Sequence, residues 1–408
     1  MMFYYYEIIQ KVIFVIFILF CCQQFKSYVV TTNIDDISSD LEHIRVQQRM
    51  PGLSALALKN GKIVAQGVAG YRRQDYPSSL LISDPFNIGS CTKWMTATLA
   101  GRLVDRKLIS WSTQVHECFP NYETFNSAFR NATLEQLLAH RAGVQNTPTF
   151  YNHHLVAFIS QQGNISQIRR WVVETVLKDT PQIQSGEYLY SNQGYTVAAV
   201  MMEYVTGQDW ESLMYEHIFI PLDMTSARIG PVYDQSLLPK APIGHELLVN
   251  NSKPIPRPML TPHILHVEFA SSAPSGFVAC TLHDLAKFLY AHIIGETTGY
   301  LSKDTLDTLK RPYIGVEGYG LGVIVRNSTL ALPGQALIHD GDSFGHSAVF
   351  WMAPAKDLIT VAFTNSRSEE RYAANALNGA IDVLLKKHIN SVRNSESLDH
   401  GFIDLNHS

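Results

Sequence analysis

The chain has 408 residues, of which 46% are hydrophobic, and this length is enough for one large domain or two smaller ones. Charged residues make up only 17% of the chain, below the usual quarter, which argues against a disordered protein. The net charge of −4 argues against a nucleic-acid-binding protein, because such proteins present a basic face.

The N-terminus carries a short apolar segment. Lys11 precedes eleven apolar residues, 12–22, a run that is too short for a standard membrane-spanning helix and typical of the core of a signal peptide. We therefore expect residues 1–28 to be a signal peptide and the mature protein to be secreted or periplasmic. The alternative is an uncleaved anchor over residues 3–22, which would hold the protein at a membrane.

The first half of the chain begins with a predicted helix over residues 40–48 and a predicted β-hairpin. Two apolar runs flank Asn60-Gly61, which is the strongest short-range hairpin signal. A second helix follows Gly89, and its apolar residues recur on every side, so we expect it to be buried. Residues from about 112 to 267 then read as mainly helical.

Strand-like runs return after Ser275, and a final helix is predicted over residues 369–387. The pattern predicts an α/β (α+β) fold, in which an antiparallel sheet is built from both chain ends and flanked by helices, with a mostly helical second subdomain. We expect one domain over residues 29–390, whose α/β part covers about 35–111 and 268–390, with the helical insertion at about 112–267. Residues 391–408 form a C-terminal tail.

Ser90 and Lys93 lie three residues apart at the start of the second helix. Residues i and i+3 share one face of a helix, so the lysine amine can reach the serine hydroxyl and act as its base. Burial in an apolar helix would lower the pKa of the lysine toward a useful value. The alternative is a helix-capping serine with a surface lysine. We expect Cys91, between them, to be a buried packing residue.

Two further segments carry polar residues that suit such a site. Tyr190 and Asn192 are two apart in an extended segment before a buried helix, so both side chains point the same way. A phenol can relay a proton and an amide can hold a substrate carbonyl; the alternative is a capping asparagine beside a packed tyrosine.

The other segment is His339-Asp340-Gly341, which ends a strand. A backbone N–H on its edge could form an oxyanion hole with the N–H of Ser90. The alternative is a plain strand turn with a solvated histidine.

In these three motifs, S-x-x-K, Y-x-N and H-x-G, the chain resembles the serine β-lactamase and penicillin-binding-protein superfamily, in its class C-like, β-lactamase-related branch. Further similar segments, including TLEQLLAHRAGV and YGLGVIV, extend the resemblance over residues 40–385 or so. The resemblance implies an acyl-enzyme mechanism on small-molecule esters, amides or peptides, without a metal or organic cofactor.

The resemblance also implies a role for each matching position. Ser90 would be the nucleophile, and Lys93 and Tyr190 would share the work of the base and proton relay. Asn192 would orient the substrate, and the backbone N–H groups of Ser90 and Asp342 would form the oxyanion hole. His339 and Gly341 would line the strand edge beside the substrate.

One departure bears on the substrate. His339 stands where penicillin-recognising members carry a lysine, and histidine is mostly neutral at pH 7. Esterase, amidase or D-amino-acid peptidase activity is therefore favoured over β-lactam turnover. The alternatives are a true β-lactamase or D-Ala-D-Ala carboxypeptidase, and a non-catalytic binding or self-assembling scaffold of the same fold. The sequence leaves the oligomeric state open.

No metal is expected from the sequence. His153 and His154 are adjacent, but no H-E-x-x-H pattern surrounds them.

Overall fold

The structure, a computed structural model, describes residues 34–232, 240–248, 253–257, 260–312, 318–327 and 334–388. The predicted signal peptide at 1–28, the alternative anchor at 3–22 and the predicted tail at 391–408 lie outside these residues. All three stay predictions. No helix in the described ranges is long and apolar enough to cross a membrane.

The described strands range in length from two to twelve residues. They are β1 (Asp35–Asp36), β2 (Gly52–Lys59), β3 (Lys62–Arg73), β4 (Tyr76–Ser79), β5 (Phe86–Asn87), β6 (Arg228–Ile229), β7 (His245–Leu247), β8 (Ile255–Pro256), β9 (Val278–Cys280), β10 (Ile324–Asn327), β11 (Gln335–Ser343), β12 (His346–Ala353), β13 (Leu358–Thr364) and β14 (Ser366–Ser368).

The described helices precede, interrupt and follow these strands. They are α1 (Ser38–Gln47), α2 (Thr92–Asp105), α3 (Val115–Cys118), α4 (Ser127–Arg130), α5 (Leu134–Leu138), α6 (Thr147–Ile159), α7 (Ile165–Lys178), α8 (Asn192–Thr206), α9 (Trp210–Met214), α10 (Pro262–Gly276), α11 (Leu282–Thr298), α12 (Lys303–Lys310) and α13 (Tyr372–His388).

The main sheet has eight strands, in the order β1-β3-β2-β13-β12-β11-β10, with β4 paired to β3. The N-terminal strand β2 pairs antiparallel with the C-terminal strand β13, so both chain ends build one sheet. Every pair is antiparallel except β1 with β3. The α/β (α+β) fold class that the sequence predicted is confirmed.

Helices cover both faces of this sheet. Successive side chains of a strand point to opposite faces, and on β2 Leu56 and Leu58 pack into one core while Leu53 and Ala55 pack into the other. Helix α11 covers the first face, where Trp94 of α2 also stacks on Phe350 of β12, and α1 and α13 cover the second face. Because both faces are covered, the central strands are apolar at nearly every position.

The predicted local elements agree with the structure apart from their ends. Asn60 and Gly61 form the turn between β2 and β3, both with positive φ, which an Asn-Gly pair adopts with little strain. The helix predicted at 40–48 spans Ser38–Gln47, and the one predicted at 369–387 spans Tyr372–His388. Helix ends fray and are fixed by caps, so shifts of this size are expected.

The region between the two halves of the sheet is mainly helical, as expected, and contains α3 to α9. Helix α10 runs across the expected boundary at residues 267 and 268, so it connects the helical region to the sheet. The exact subdomain limits stay a prediction. This connection matters because α10 and the start of α8 both border the site described below.

Arg169 of α7 links three other helices, α8, α9 and α10. Its guanidinium is fully buried and forms ion pairs with Glu203 of α8 and with Glu211 of α9. Its Nε also donates to the backbone carbonyl of Ala270 in α10, at 3.1 Å. Burial raises the pKa of Glu203 even beside this cation, which shows how poorly solvated the cluster is.

We predict that Arg169→Ala lowers the free energy of unfolding by about 3 kcal/mol, because it leaves two poorly solvated carboxylates without their cation. Urea denaturation followed by circular dichroism would measure the loss. The neighbouring Arg170 is exposed, so Arg170→Ala is a matched control and should change stability by less than about 0.5 kcal/mol. Equal effects of the two substitutions would contradict a structural role for the buried cluster.

Candidate active site

Ser90 lies at the entrance to the buried helix α2. Strand β5 leads into a 3₁₀ turn over Gly89–Cys91, and α2 starts directly after it. The N–H of Ile88 donates to the carbonyl of Val278 on β9, at 3.0 Å, which holds the approach to the turn against that strand. Ser90 itself is partly exposed, so its hydroxyl is accessible although Lys93 behind it is buried.

Two glycines bring the serine turn against strand β11. Gly89 has φ +51°, and a Cβ there would lie 2.3 Å from the backbone nitrogen of Asp342. A Cβ on Gly341 would lie 2.4 Å from the backbone nitrogen of Ser90. Any side chain at either position would push the two segments apart. The packing therefore brings the two backbone nitrogens that the sequence proposed for the oxyanion hole into the same small region.

Strand β11 extends beyond its outer neighbour at this point. Strand β10 pairs only with residues 335–338 of β11, whereas β12 pairs with β11 as far as Ser343. Residues 339–343 therefore continue past the end of β10 and beside Ser90. Asp342 is exposed there, and Gly341 is buried.

Lys93 is the buried group that faces the serine. Its Nζ lies 3.0 Å from Ser90 Oγ and donates to the backbone carbonyl of Ser275 at 2.9 Å. The lysine is fully buried, and this burial lowers its pKa well below the ordinary value. The amine therefore loses its proton more readily than an ordinary lysine, and in its deprotonated form it offers a lone pair to the serine hydroxyl while an N–H stays bonded to Ser275. The alternative of a surface lysine is wrong.

Tyr190 lies against the same amine. Lys93 Nζ is 4.7 Å from the centre of the Tyr190 ring, and the Tyr190 hydroxyl is buried without a hydrogen bond to any described residue. Burial raises the pKa of Tyr190 well above its usual value, and interaction with Ser90 opposes that shift. The phenol therefore stays protonated and close to the serine, where it can pass a proton.

Asn192 is placed beside the site by the start of α8. The capping residue of α8 is Ser191, whose Oγ accepts from the N–H of Gly194 at 3.1 Å. The Asn192 side chain therefore does not cap the helix, and its amide donates to Thr147 Oγ1 of α6 at 2.8 Å. The alternative of a capping asparagine is wrong, because the neighbouring serine has that role.

His339 is fully buried beneath the strand edge and is not the solvated residue of the alternative interpretation. Its Nδ1 donates to the carbonyl of Asp340 at 2.5 Å, so its Nε2 is the acceptor for the Tyr319 hydroxyl at 3.1 Å. Burial lowers the pKa of His339 to about 3. The ring is therefore neutral at pH 7 and presents no cation to a substrate.

Several residues that support the site were not identified from the sequence. His140, Tyr195 and Tyr319 form an aromatic cluster with Tyr190: the His140 ring lies 4.3 to 5.2 Å from the other three rings. The ring of Tyr195 also faces Lys93 Nζ, at 5.6 Å. His140 and Tyr319 fall inside similar segments noted above, TLEQLLAHRAGV and YGLGVIV, so a signal existed. The role of the Ser275 carbonyl left no signal in the sequence, because every residue has a backbone carbonyl.

Cys91 is a buried packing residue, as expected. Its Sγ lies 3.5 Å from the His339 carbonyl, and burial raises the pKa of its thiol well above the usual value. A thiol in this state is a poor nucleophile.

The structure brings the sequence-predicted residues together from three distant segments. A lysine amine 3.0 Å from a hydroxyl can take the hydroxyl proton once the amine is deprotonated, and a protonated phenol beside both can return a proton to a leaving group. The close packing at Gly89 and Gly341 places the backbone nitrogens of Ser90 and Asp342 in one region, as the predicted oxyanion hole requires. Such an arrangement suits acyl transfer to Ser90.

Two sequence relatives are similar to most of this chain. Penicillin-binding protein 4 of Amycolatopsis lactamdurans is 22% identical over 341 residues, which cover 79% of this chain and 82% of that protein. Protein flp of Staphylococcus aureus strain N315 is 22% identical over 344 residues, covering 82% of this chain. The chain spans only 63% of the length of Protein flp.

Solved structures show the same fold. The octameric penicillin-binding protein homologue from Pyrococcus abyssi has a TM-score of 0.68 at 21% identity, with 85% of this chain and 76% of that chain covered. The D-amino acid amidase from Ochrobactrum anthropi SV3, complexed with L-phenylalanine amide, has a TM-score of 0.67 at 20% identity, with 85% and 97% covered.

The family model named Beta-lactamase matches residues 34–383, which is nearly all of the described chain. The match includes all three segments that meet at Ser90, and it confirms the resemblance found in the sequence. The chain therefore belongs to the Beta-lactamase family and is a serine hydrolase.

Proposed function

We propose that this hydrolase acts through a Ser90 acyl-enzyme on ester or amide bonds of small molecules, including D-amino-acid peptides. The observation that carries the proposal is the contact of 3.0 Å between Ser90 Oγ and the amine of a fully buried lysine. A serine needs a base to become a nucleophile, and burial keeps Lys93 available as that base near neutral pH.

In the proposed acylation step, each group acts on the part of the substrate or on the side chain that lies next to it. Ser90 Oγ attacks the substrate carbonyl carbon while Lys93 Nζ takes the hydroxyl proton. The carbonyl oxygen becomes an oxyanion, which the backbone N–H groups of Ser90 and Asp342 stabilise. As the bond to the leaving group breaks, the Tyr190 phenol gives it a proton and recovers one from Lys93. The product is a Ser90 ester and a free alcohol or amine.

Deacylation runs the same steps with water in place of the leaving group. Water attacks the acyl carbon, its proton passes to the Lys93–Tyr190 pair, and Ser90 Oγ leaves and is reprotonated. Asn192 orients the substrate from the side of α8 in this proposal. Its amide N–H₂ is already bonded to Thr147, so its position is fixed before substrate arrives.

The substrate class follows from the charge at the strand edge. A substrate carboxylate needs a cation, and neutral, buried His339 does not provide one. This favours esters and amides over β-lactams and acyl-D-Ala-D-Ala peptides. The structural similarity to a D-amino acid amidase supports small amides as substrates. The proposal includes export, which rests on residues 1–28 and would be checked by N-terminal sequencing of the secreted protein.

We predict that a fluorophosphonate probe labels the wild type at Ser90 and does not label Ser90→Ala. The probe phosphorylates an activated serine oxygen and releases fluoride, so labelling reports the nucleophile without a known substrate. Ser39 is exposed on α1, and Ser39→Ala is the matched control that should label like the wild type. In-gel fluorescence and peptide mass spectrometry would measure the labelling.

Equal labelling of Ser90→Ala would exclude the proposed nucleophile, and no labelling of the wild type would favour the non-catalytic scaffold.

We predict a pH-dependent stability difference between the wild type and Lys93→Met. The folded pKa of Lys93 lies well below its unfolded pKa near 10.5, so the unfolded chain binds more protons between these values. Wild-type stability should therefore rise with pH in that window, by up to about 1.4 kcal/mol per pH unit. Lys93→Met removes this term, so the variant should be more stable than the wild type at low pH and lose that advantage as pH rises.

Urea unfolding of both proteins at several pH values would measure the difference, and a pH-independent difference would contradict a neutral buried amine.

Lys93→Arg, which stays protonated, should lower kcat/KM by about 10²–10⁴-fold.

We predict that the purified protein hydrolyses p-nitrophenyl esters and does not turn over nitrocefin at a comparable rate. The carboxylate of a β-lactam needs a positive charge at the strand edge, and the buried ring of His339 is neutral and does not supply one. A panel of p-nitrophenyl esters, D-amino-acid amides, D-Ala-D-Ala peptides and nitrocefin would measure this, with Ser90→Ala as the background control. Fast nitrocefin cleavage would instead establish the β-lactamase alternative.

A further inference from the structure

We propose that His153, His154 and Asp179 form a binding site for one Zn²⁺ ion, apart from Ser90. The two histidines lie on helix α6, and Asp179 follows the end of helix α7. One ligand atom from each of the three residues lies within 4.8 Å of the other two. The site joins residues 25 positions apart in the chain, so neither the His-His pair nor its local sequence reveals it.

The geometry is close to what a metal needs. Four ligands at about 2.1 Å around a tetrahedral Zn²⁺ lie about 3.4 Å from one another. His154 Nε2 is 2.5 Å from Asp179 Oδ2, and His153 is exposed, so its ring can turn inward at little cost. Small side-chain rotations therefore convert the hydrogen-bonded pair and its neighbour into three ligands. The fourth position would belong to water.

Neighbouring groups hold the ligands in place. Gln145 Nε2 donates to Asp179 Oδ2 at 2.9 Å, which orients the carboxylate as outer partners do in metal sites. The His154 ring packs on Phe150, with ring centres 5.5 Å apart.

The choice of ion follows from the ligand types. Two imidazoles and one carboxylate suit Zn²⁺, whereas Mg²⁺ and Ca²⁺ prefer oxygen ligands alone.

A bound ion would add a further contact that holds helix α6. Phe150 and Phe158 are the buried side chains of α6 among those described, and the Tyr151 hydroxyl donates to Glu268 of α10 at 2.7 Å.

The first residue of α6, Thr147, accepts the amide hydrogen bond of Asn192. The ion would fix α6 to the segment after α7, and through Thr147 it would steady the side of the active site that carries Asn192. The ion takes no part in bond breaking at Ser90.

The test uses tag-free, full-length protein titrated with Zn²⁺ by calorimetry and with Co²⁺ by visible absorption, a spectroscopic signature that does not depend on activity. We expect one Zn²⁺ per chain, a raised Tm, and absorption bands of a low-symmetry four-coordinate Co²⁺ site that Zn²⁺ abolishes and Mg²⁺ does not. His153→Ala and Asp179→Ala should each weaken Zn²⁺ binding by at least about 10-fold.

The control is His43→Ala, which removes an exposed histidine on α1 that is no part of the cluster. His153 is also exposed, so His153→Ala should fold like the wild type and lose only the metal. Zn²⁺ binding that is equal in His153→Ala and His43→Ala would overturn the proposal. So would a wild type that binds no Zn²⁺ at micromolar concentrations, or Co²⁺ bands that Mg²⁺ removes.

Discussion

A lysine amine held in an apolar interior, 3.0 Å from a serine hydroxyl, is the interaction on which the rest of this site depends. A buried ammonium without an anion is costly, and Lys93 forms no ion pair with any described residue. Burial therefore lowers the pKa of Lys93, and the Ser275 carbonyl accepts an N–H of the amine. The burial that disfavours the ammonium in the folded state also supports the proposed role of Lys93 as a base.

Burial also lowers the pKa values of two histidines that lie near Lys93. His140 and His339 both lie in the same buried region, and burial lowers the pKa of each. Two histidines that would elsewhere titrate near neutral pH therefore stay uncharged. The catalytic groups and their surroundings can then be neutral together, which leaves the substrate and the oxyanion as the main charges that develop there. A site of this kind suits neutral acyl donors better than anionic ones.

The sequence predicted the fold class, which is confirmed, and the candidate active-site residues, whose roles stay predictions, because strands, turns and short motifs are local patterns. The Asn60-Gly61 turn, the apolar strands and the spacing of Ser90 and Lys93 are all visible within a few residues. Contacts between distant segments were out of reach: the Ser275 carbonyl that holds Lys93, and Asp179 opposite the histidines of α6. No residue type or spacing marks a backbone carbonyl as a ligand, and a third metal ligand 25 residues away depends on how two helices pack.

The close packing of Gly89 against β11 also has a consequence for the order of events during synthesis. Ser90 and Lys93 leave the ribosome before the strand edge that completes the proposed oxyanion hole, which lies about 250 residues later in the chain. Strand β11 is in turn held in the sheet through β12 and β13, which pairs with β2 near the start of the chain. In the proposed mechanism, hydrolytic competence therefore requires strands β11 to β13, so a nascent chain carries Ser90 in an inert form until these strands have been made.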